Sequence, residues 1–174
     1  MVDKDLLSIQ ETRALVRAAR AAQPEFAMIG QERVDALVEA IAKVGVEMAE
    51  ELGKMASEET GFGKWQDKAQ KNILASEKLV NYYKEMKTVG IINEDTDKKI
   101  VEIATPMGVI AGLVPSTNPT STTLYKAIIS LKSGNAIVFS PHPTAVKCIT
   151  ATVNMVKAVL KAMDLCEDLV GVVS

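Results

Sequence analysis

Cysteine and histidine are nearly missing from this sequence. Two cysteines without paired spacing and one histidine are too few for a disulfide framework or a His/Cys zinc site, so no metal is expected. No apolar run approaches the ~20 residues that cross a bilayer. The opening MVDKDLL also lacks the basic and hydrophobic parts of a signal peptide. These absences point away from a membrane and toward the cytoplasm. The net charge is only −2, which gives no reason to expect nucleic acid or an acidic substrate. No strand is followed by GxGxxG, so the common dinucleotide fingerprint is missing too.

What is present is enough apolar material for one sizeable core: 48% of the 174 residues are hydrophobic. Residues 1–98 carry 14 basic and 18 acidic side chains, and residues 99–174 carry 6 and 4. A charged, helical part thus gives way to a sparsely charged sheet part near Lys98. In the first part, Leu7, Thr12, Leu15, Ala18, Ala19 and Ala22 recur at near-helical spacing until Gln23-Pro24 interrupts them. Val34, Leu37, Val38, Ile41, Val44 and Met48 form the stripe of a second helix over 31–48, which bends near Gly45–Gly53 and continues to Thr60. Gly61-Phe62-Gly63 stops it. A further helix is predicted over 64–86, with Trp65, Ile73, Leu74, Leu79, Val80 and Tyr83 as packing residues. Asn93–Lys99 reads as a charged turn, and Ile100–Ala104 alternates as a half-buried strand. The NEDTDKK run lacks the Gly and terminal Glu of a calcium loop.

The densest pattern runs from Pro106 to Pro143. Val109–Val114 is an apolar strand expected to be buried on both faces, and Pro115, which cannot donate to a ladder, ends it. Ser116, Thr117 and Asn118 form a turn. Asn118 stands at an N-cap position and Pro119 at the first helical position, where its missing N–H costs nothing. The helix carries Thr123, Leu124, Ala127, Ile128 and Leu131 inward, and Gly134-Asn135 closes it before a second buried strand at Ala136. Thr144 is expected to cap a helix to about Met163, and Leu169–Val173 is a third strand. Strand, helix, strand, helix, strand begins a doubly wound parallel sheet, so the fold class is α/β. The polar turn lies at the sheet's carboxyl edge, where such sheets bind ligands.

The segments PMGVIAG, VPSTNPTST and KAIISLKSGNAIVFSPHP resemble the aldehyde dehydrogenase superfamily, and within it the coenzyme A-acylating branch. Ordinary members have a Trp before the Asn and a Lys where this chain has Ser140. The helical similarity extends back to about Leu6. The resemblance implies a helical N-terminal part of a cofactor-binding domain over 1–98, a strand or arm over 99–105, and the first βαβαβ part of a Rossmann-like NAD(P) domain over 106–174. It implies an arm strand that adds to an oligomerisation sheet through a later segment or another subunit, hence a homo-oligomer. Family members are more than twice as long, and their catalytic domain follows the point where this sequence stops on its third strand, so the end looks cut.

By that resemblance Asn118 aligns with the Asn whose amide donates to the oxyanion of the thiohemiacetal; its plainer reading is a helix cap. Val114, Pro115, Ser116 and Thr117 align with the segment beside the nicotinamide and its ribose. Ser140, Pro141, His142 and Pro143 align with the segment lining the adenosine ribose, or form a plain strand-to-helix loop. Ser140 in place of Lys leaves NAD and NADP both open. The implied reaction takes a small aldehyde, coenzyme A and NAD(P)+ to acyl-CoA and NAD(P)H. Neither Cys148, inside a helix, nor Cys166, without a basic neighbour, matches the nucleophile, and His142 lies too far along from Cys148 to share a helix face. This chain alone is therefore expected to be inactive. Two alternatives stay open: a truncated non-catalytic nucleotide-binding or interaction paralogue, and an acyl-phosphate-reducing relative.

Overall fold

The computed structural model describes residues 4–174. Helix α1 (Lys4–Phe26) is followed by α2 (Gln31–Glu47) and α3 (Ala49–Thr60). Val34, Leu37, Val38 and Ile41 of α2, spaced to share one face, are all buried. Met48 makes the bend between α2 and α3, and Gly61, at φ 69°, ends α3 in the left-handed conformation that glycine adopts without strain. Helix α4 (Trp65–Ile73) continues through a π-helical turn (Leu74–Lys78) into α5 (Leu79–Tyr82). A hairpin of β1 (Gly90–Asp95) and β2 (Ile100–Ala104) comes next. Then come β3 (Val109–Val114), α6 (Pro119–Lys132), β4 (Ala136–Pro141), α7 (Val146–Ala162) and β5 (Val170–Val172).

The strands β3, β4 and β5 form a parallel sheet in the order β3-β4-β5. Ala136, Ile137, Val138 and Phe139 are all buried, so β4 is covered on both faces. Helix α6 packs on both strands it joins, α7 packs on β5 and on α6, and α1 lies against all three strands. The α/β architecture, with helices leading into a parallel sheet, agrees with the sequence reading.

Several local expectations need correction. Helix α1 runs through Pro24 to Phe26. The proline sits in the last turn, where little ladder remains to break, and that turn is held by the buried Phe26 and by Gln23 Nε2 donating to the Gly134 carbonyl at 2.9 Å. Leu7, expected inside, is 54% exposed. Strand β3 is not buried on both faces: it is the edge of the sheet, and Leu113 is 70% exposed. The helix predicted to Met86 ends at Tyr82, and its π turn puts Leu74 outward at 62% exposure.

In the charged run, Asn93–Asp95 belong to β1, and only Thr96–Lys99 form the turn, with Lys99 left-handed at φ 56°. On one edge, Ile100–Ala104 pairs with the preceding segment of the same chain, Gly90–Asp95. The strand is exposed rather than half-buried, since nothing among the described residues covers the hairpin's faces. Thr144 does not cap α7, which begins at Val146. A carboxylate from α3 takes that role: Glu59 accepts the N–H groups of Lys147 (2.8 Å) and Cys148 (2.7 Å).

Candidate active site

The end of β3 and the end of β4 lie side by side because the strands run in register, Leu113 opposite Ser140 and Val114 opposite Pro141. The His142 N–H donates to the Val114 carbonyl at 3.0 Å, extending the ladder past the strand ends. Val114–Thr117 and Ser140–Pro143 are thereby neighbours at the carboxyl edge of the sheet. Val114 is buried; Pro115, Thr117, Ser140, His142 and Pro143 are exposed. The His142 Nδ1 contacts the Thr144 hydroxyl at 3.0 Å, which is where Thr144 spends its side chain.

Asn118 stands at the N-cap position of α6, and its carbonyl accepts the Thr122 N–H at 3.1 Å. Its side chain makes no capping bond. The capping expectation is corrected here: the side-chain oxygen Oδ1 instead accepts from Lys71 Nζ of α4 at 2.9 Å. Because an ammonium only donates, this contact orients the amide, and Nδ2 is left as the donating end. Among the described residues Nδ2 has no protein partner. Asn118 opens on a cavity of about 580 Å³ lined mainly by Lys71, Leu74, Leu79, Tyr82 and Tyr125. None of Ser140–Pro143 lines it, so the aligned ribose segment and the Asn118 cavity are separate places joined by the Val114–Thr117 turn.

Helix α4 supplies residues that sequence reasoning missed. The buried Lys68 donates to the Thr117 carbonyl at 2.9 Å, and burial, helped by the Lys71 charge, holds its pKa below the ordinary lysine value. The fully buried Asn72 accepts from the Thr120 hydroxyl at 2.8 Å and donates to the Ala49 carbonyl at 3.0 Å. The signal was available: Lys68, Lys71 and Asn72 stand at i, i+3 and i+4, one polar face on a helix otherwise read for packing. Glu59 carried no such signal, since its partners lie 88 and 89 residues away.

The two cysteines differ sharply. Cys148 is buried, and burial, reinforced by Glu59, pushes its thiol up to about 12, where no thiolate forms at neutral pH. Cys166 is exposed. Among the described residues no three His, Cys, Asp or Glu side chains gather as a metal site, and no helix is long and apolar enough to cross a membrane.

The profile of the aldehyde dehydrogenase family matches residues 6–174. The chain belongs to that family. A bifunctional aldehyde-alcohol dehydrogenase of Escherichia coli is 42% identical over 164 residues, 94% of this chain and 18% of the relative. An acetylating succinate-semialdehyde dehydrogenase of Clostridium kluyveri is 39% identical over 167 residues, 96% of this chain and 36% of the relative. Among solved structures, an acetylating aldehyde dehydrogenase from Geobacillus thermoglucosidasius superposes with TM-score 0.96 at 43% identity, covering 99% of this chain and 38% of that one. A propionaldehyde dehydrogenase from Rhodopseudomonas palustris with bound propionyl-CoA gives TM-score 0.79 at 32% identity, over 92% and 35% of the two chains. An engineered glycolyl-CoA reductase with bound NADP+ gives 0.75 at 31%, over 92% and 36%. This aldehyde dehydrogenase-family chain thus spans well under half the length of the relatives it matches.

Proposed function

We propose that this chain is the cofactor-binding, oxyanion-holding portion of a coenzyme A-acylating aldehyde dehydrogenase, acting on a small aldehyde with coenzyme A and NAD or NADP. The observation that carries the reading is the state of Asn118: its amide is not spent on capping, its oxygen is tied to Lys71, and its donating end borders an open cavity at the sheet's ligand edge. In this role Nδ2 donates to the oxygen that becomes negative when a thiolate adds to the aldehyde. The relatives named as acetylating enzymes, and the neighbour holding propionyl-CoA, support the acylating branch.

The cofactor fits the edge in its donor chemistry. Pro115–Thr117 present backbone, and Ser140 and His142 present polar side chains, on an exposed rim suited to a ribose. The first turn of α7 is not available to a pyrophosphate, because Glu59 already takes its N–H groups. When bound, the nicotinamide supplies the hydride acceptor; the residues of this chain hold it and exclude nothing from either cofactor, since Ser140 brings no charge to a 2′-phosphate. Neither cysteine serves as nucleophile: Cys148 is buried and protonated, and Cys166 lies in the α7–β5 connection, away from the Asn118 cavity. The isolated chain should show no aldehyde-dependent NAD(P) reduction. The exposed apolar hairpin, with Ile91, Ile100 and Ile103 open to solvent, supports a homo-oligomer, and the unpaired cysteines suit a reducing cytoplasm.

The test is Asn118→Ser in the whole reading frame that encodes this chain, assayed for thioester formation. Turnover should fall on the order of a hundredfold or more, with little change in melting temperature. Turnover within a factor of about three of the parent refutes the role.

A further inference from the structure

Three side chains of α4 hold three positions of the turn that starts α6. Lys68 takes the Thr117 carbonyl, Lys71 the Asn118 side-chain oxygen, and Asn72 the Thr120 hydroxyl, all at 2.8–2.9 Å. Two of the three anchors, Lys68 and Asn72, are buried. Helix α4 is itself fixed against α3, where a Cβ at Gly53 would stand 2.8 Å from the Trp65 carbonyl oxygen. Lys71 is thus an exposed side chain on a rigid mount, and its single contact to Asn118 acts on the amide rather than on the backbone.

We propose that Lys71 is a positioning residue that selects one of the two flipped orientations of the Asn118 amide, keeping Nδ2 aimed at the reacting oxygen. An Asn amide has two orientations of nearly equal shape and opposite polarity. Without a cap bond to choose between them, the choice falls to Lys71, which among the described residues is the group hydrogen-bonded to the amide. A cation can only receive the oxygen end, so the flipped orientation, which would present a carbonyl to a developing negative charge, is disfavoured at both ends. Pre-orientation of this kind lowers the barrier without binding substrate, so it affects turnover and not Michaelis constants. The proposal rests on the oxyanion role of Asn118.

The experiment compares Lys71→Met, Lys71→Gln and Lys71→Arg, alone and with Asn118→Ser, in the whole reading frame, and follows the Asn118 side-chain amide by ¹⁵N relaxation in the chain itself. Lys71→Met and Lys71→Gln should lower kcat about tenfold, with KM for aldehyde and coenzyme A within about twofold and an unchanged melting temperature. Lys71→Arg, which still only donates, should restore kcat to within about threefold. In the Asn118→Ser background Lys71→Met should cost nothing further, because the group it acts through is gone. In the isolated chain the Asn118 amide should be as ordered as its backbone, and Lys71→Met should loosen it. The proposal is overturned, with the oxyanion role intact, by Lys71→Met at parental kcat while Asn118→Ser is crippled. It is equally overturned by losses that multiply in the double variant, by a raised aldehyde KM, or by an amide order that ignores Lys71. Parental turnover of Asn118→Ser overturns the underlying role instead.

Discussion

Glu59 is a long-range helix cap, and removing its charge tests whether the α3–α7 contact is held electrostatically. Its two oxygens each take one N–H of the first turn of α7, at 2.8 and 2.7 Å, where the helix end is also positive. Burial pushes this carboxyl's pKa up, but the hydrogen bonds from Cys148 and Lys147 outweigh it and hold the group below its ordinary value near 4.5. Loss of a capping acceptor costs about 1–2 kcal/mol, and because Glu59 is only half-buried, solvent screening brings the expectation to the lower end, about 1 kcal/mol. For a chain of this size that is roughly 3 °C in melting temperature. Glu59→Gln keeps the shape and removes the charge. A group whose folded pKa is depressed contributes stability above its unfolded pKa, and that contribution is lost as pH falls through the folded value. The gap between parent and Glu59→Gln should therefore be full at pH 7 and close progressively below about pH 4.5. Thermal unfolding at several pH values measures it, and other carboxylates cancel in the difference. Equal stability at pH 7, or a gap that persists undiminished at about pH 3, refutes the electrostatic cap.

Thiol labelling of the native chain with an aromatic disulfide should modify one cysteine, the exposed Cys166, quickly, and reach Cys148 only on unfolding; equal rates would contradict the buried, protonated thiol. Gly53→Ala should destabilise by about 1–3 kcal/mol, since its Cβ meets backbone atoms of α4 at 2.8 and 3.0 Å and a helix must move rather than a side chain. An unchanged melting temperature would mean that α3 and α4 separate freely.

The central βαβ unit was legible because its signals are local. Pro115 ends β3, Pro119 opens α6 and Gly134, at φ 73°, closes it, and α6 runs from Pro119 to Lys132 as those residues require. The failures have a common cause in contacts that sequence spacing does not carry. Pro24 is tolerated because Phe26 and Gly134 hold the turn that contains it. Thr144 has good capping chemistry, yet α7 starts one residue later than a Thr144 cap requires, and Glu59 from α3 accepts the N–H groups of Lys147 and Cys148. The charged run Asn93–Lys99 is part strand because Asn93, Glu94 and Asp95 pair antiparallel with Glu102, Val101 and Ile100, which follow the turn.

Asn118 combines a local and a long-range determinant. Its backbone obeys the local rule, standing before Pro119 with its carbonyl in the first helical bond. Its side chain does not, because a lysine from another helix competes for the oxygen that would otherwise cap. A capping amide would point its oxygen back at the helix N–H groups and bury its chemistry there. The observed arrangement sacrifices about a kcal/mol of cap, by the usual value of such bonds, and leaves a donor beside an open cavity. Breaking a local rule at a ligand edge, with buried Lys68 and Asn72 fixing the turn on either side, is the pattern expected where stability is exchanged for a preorganised donor.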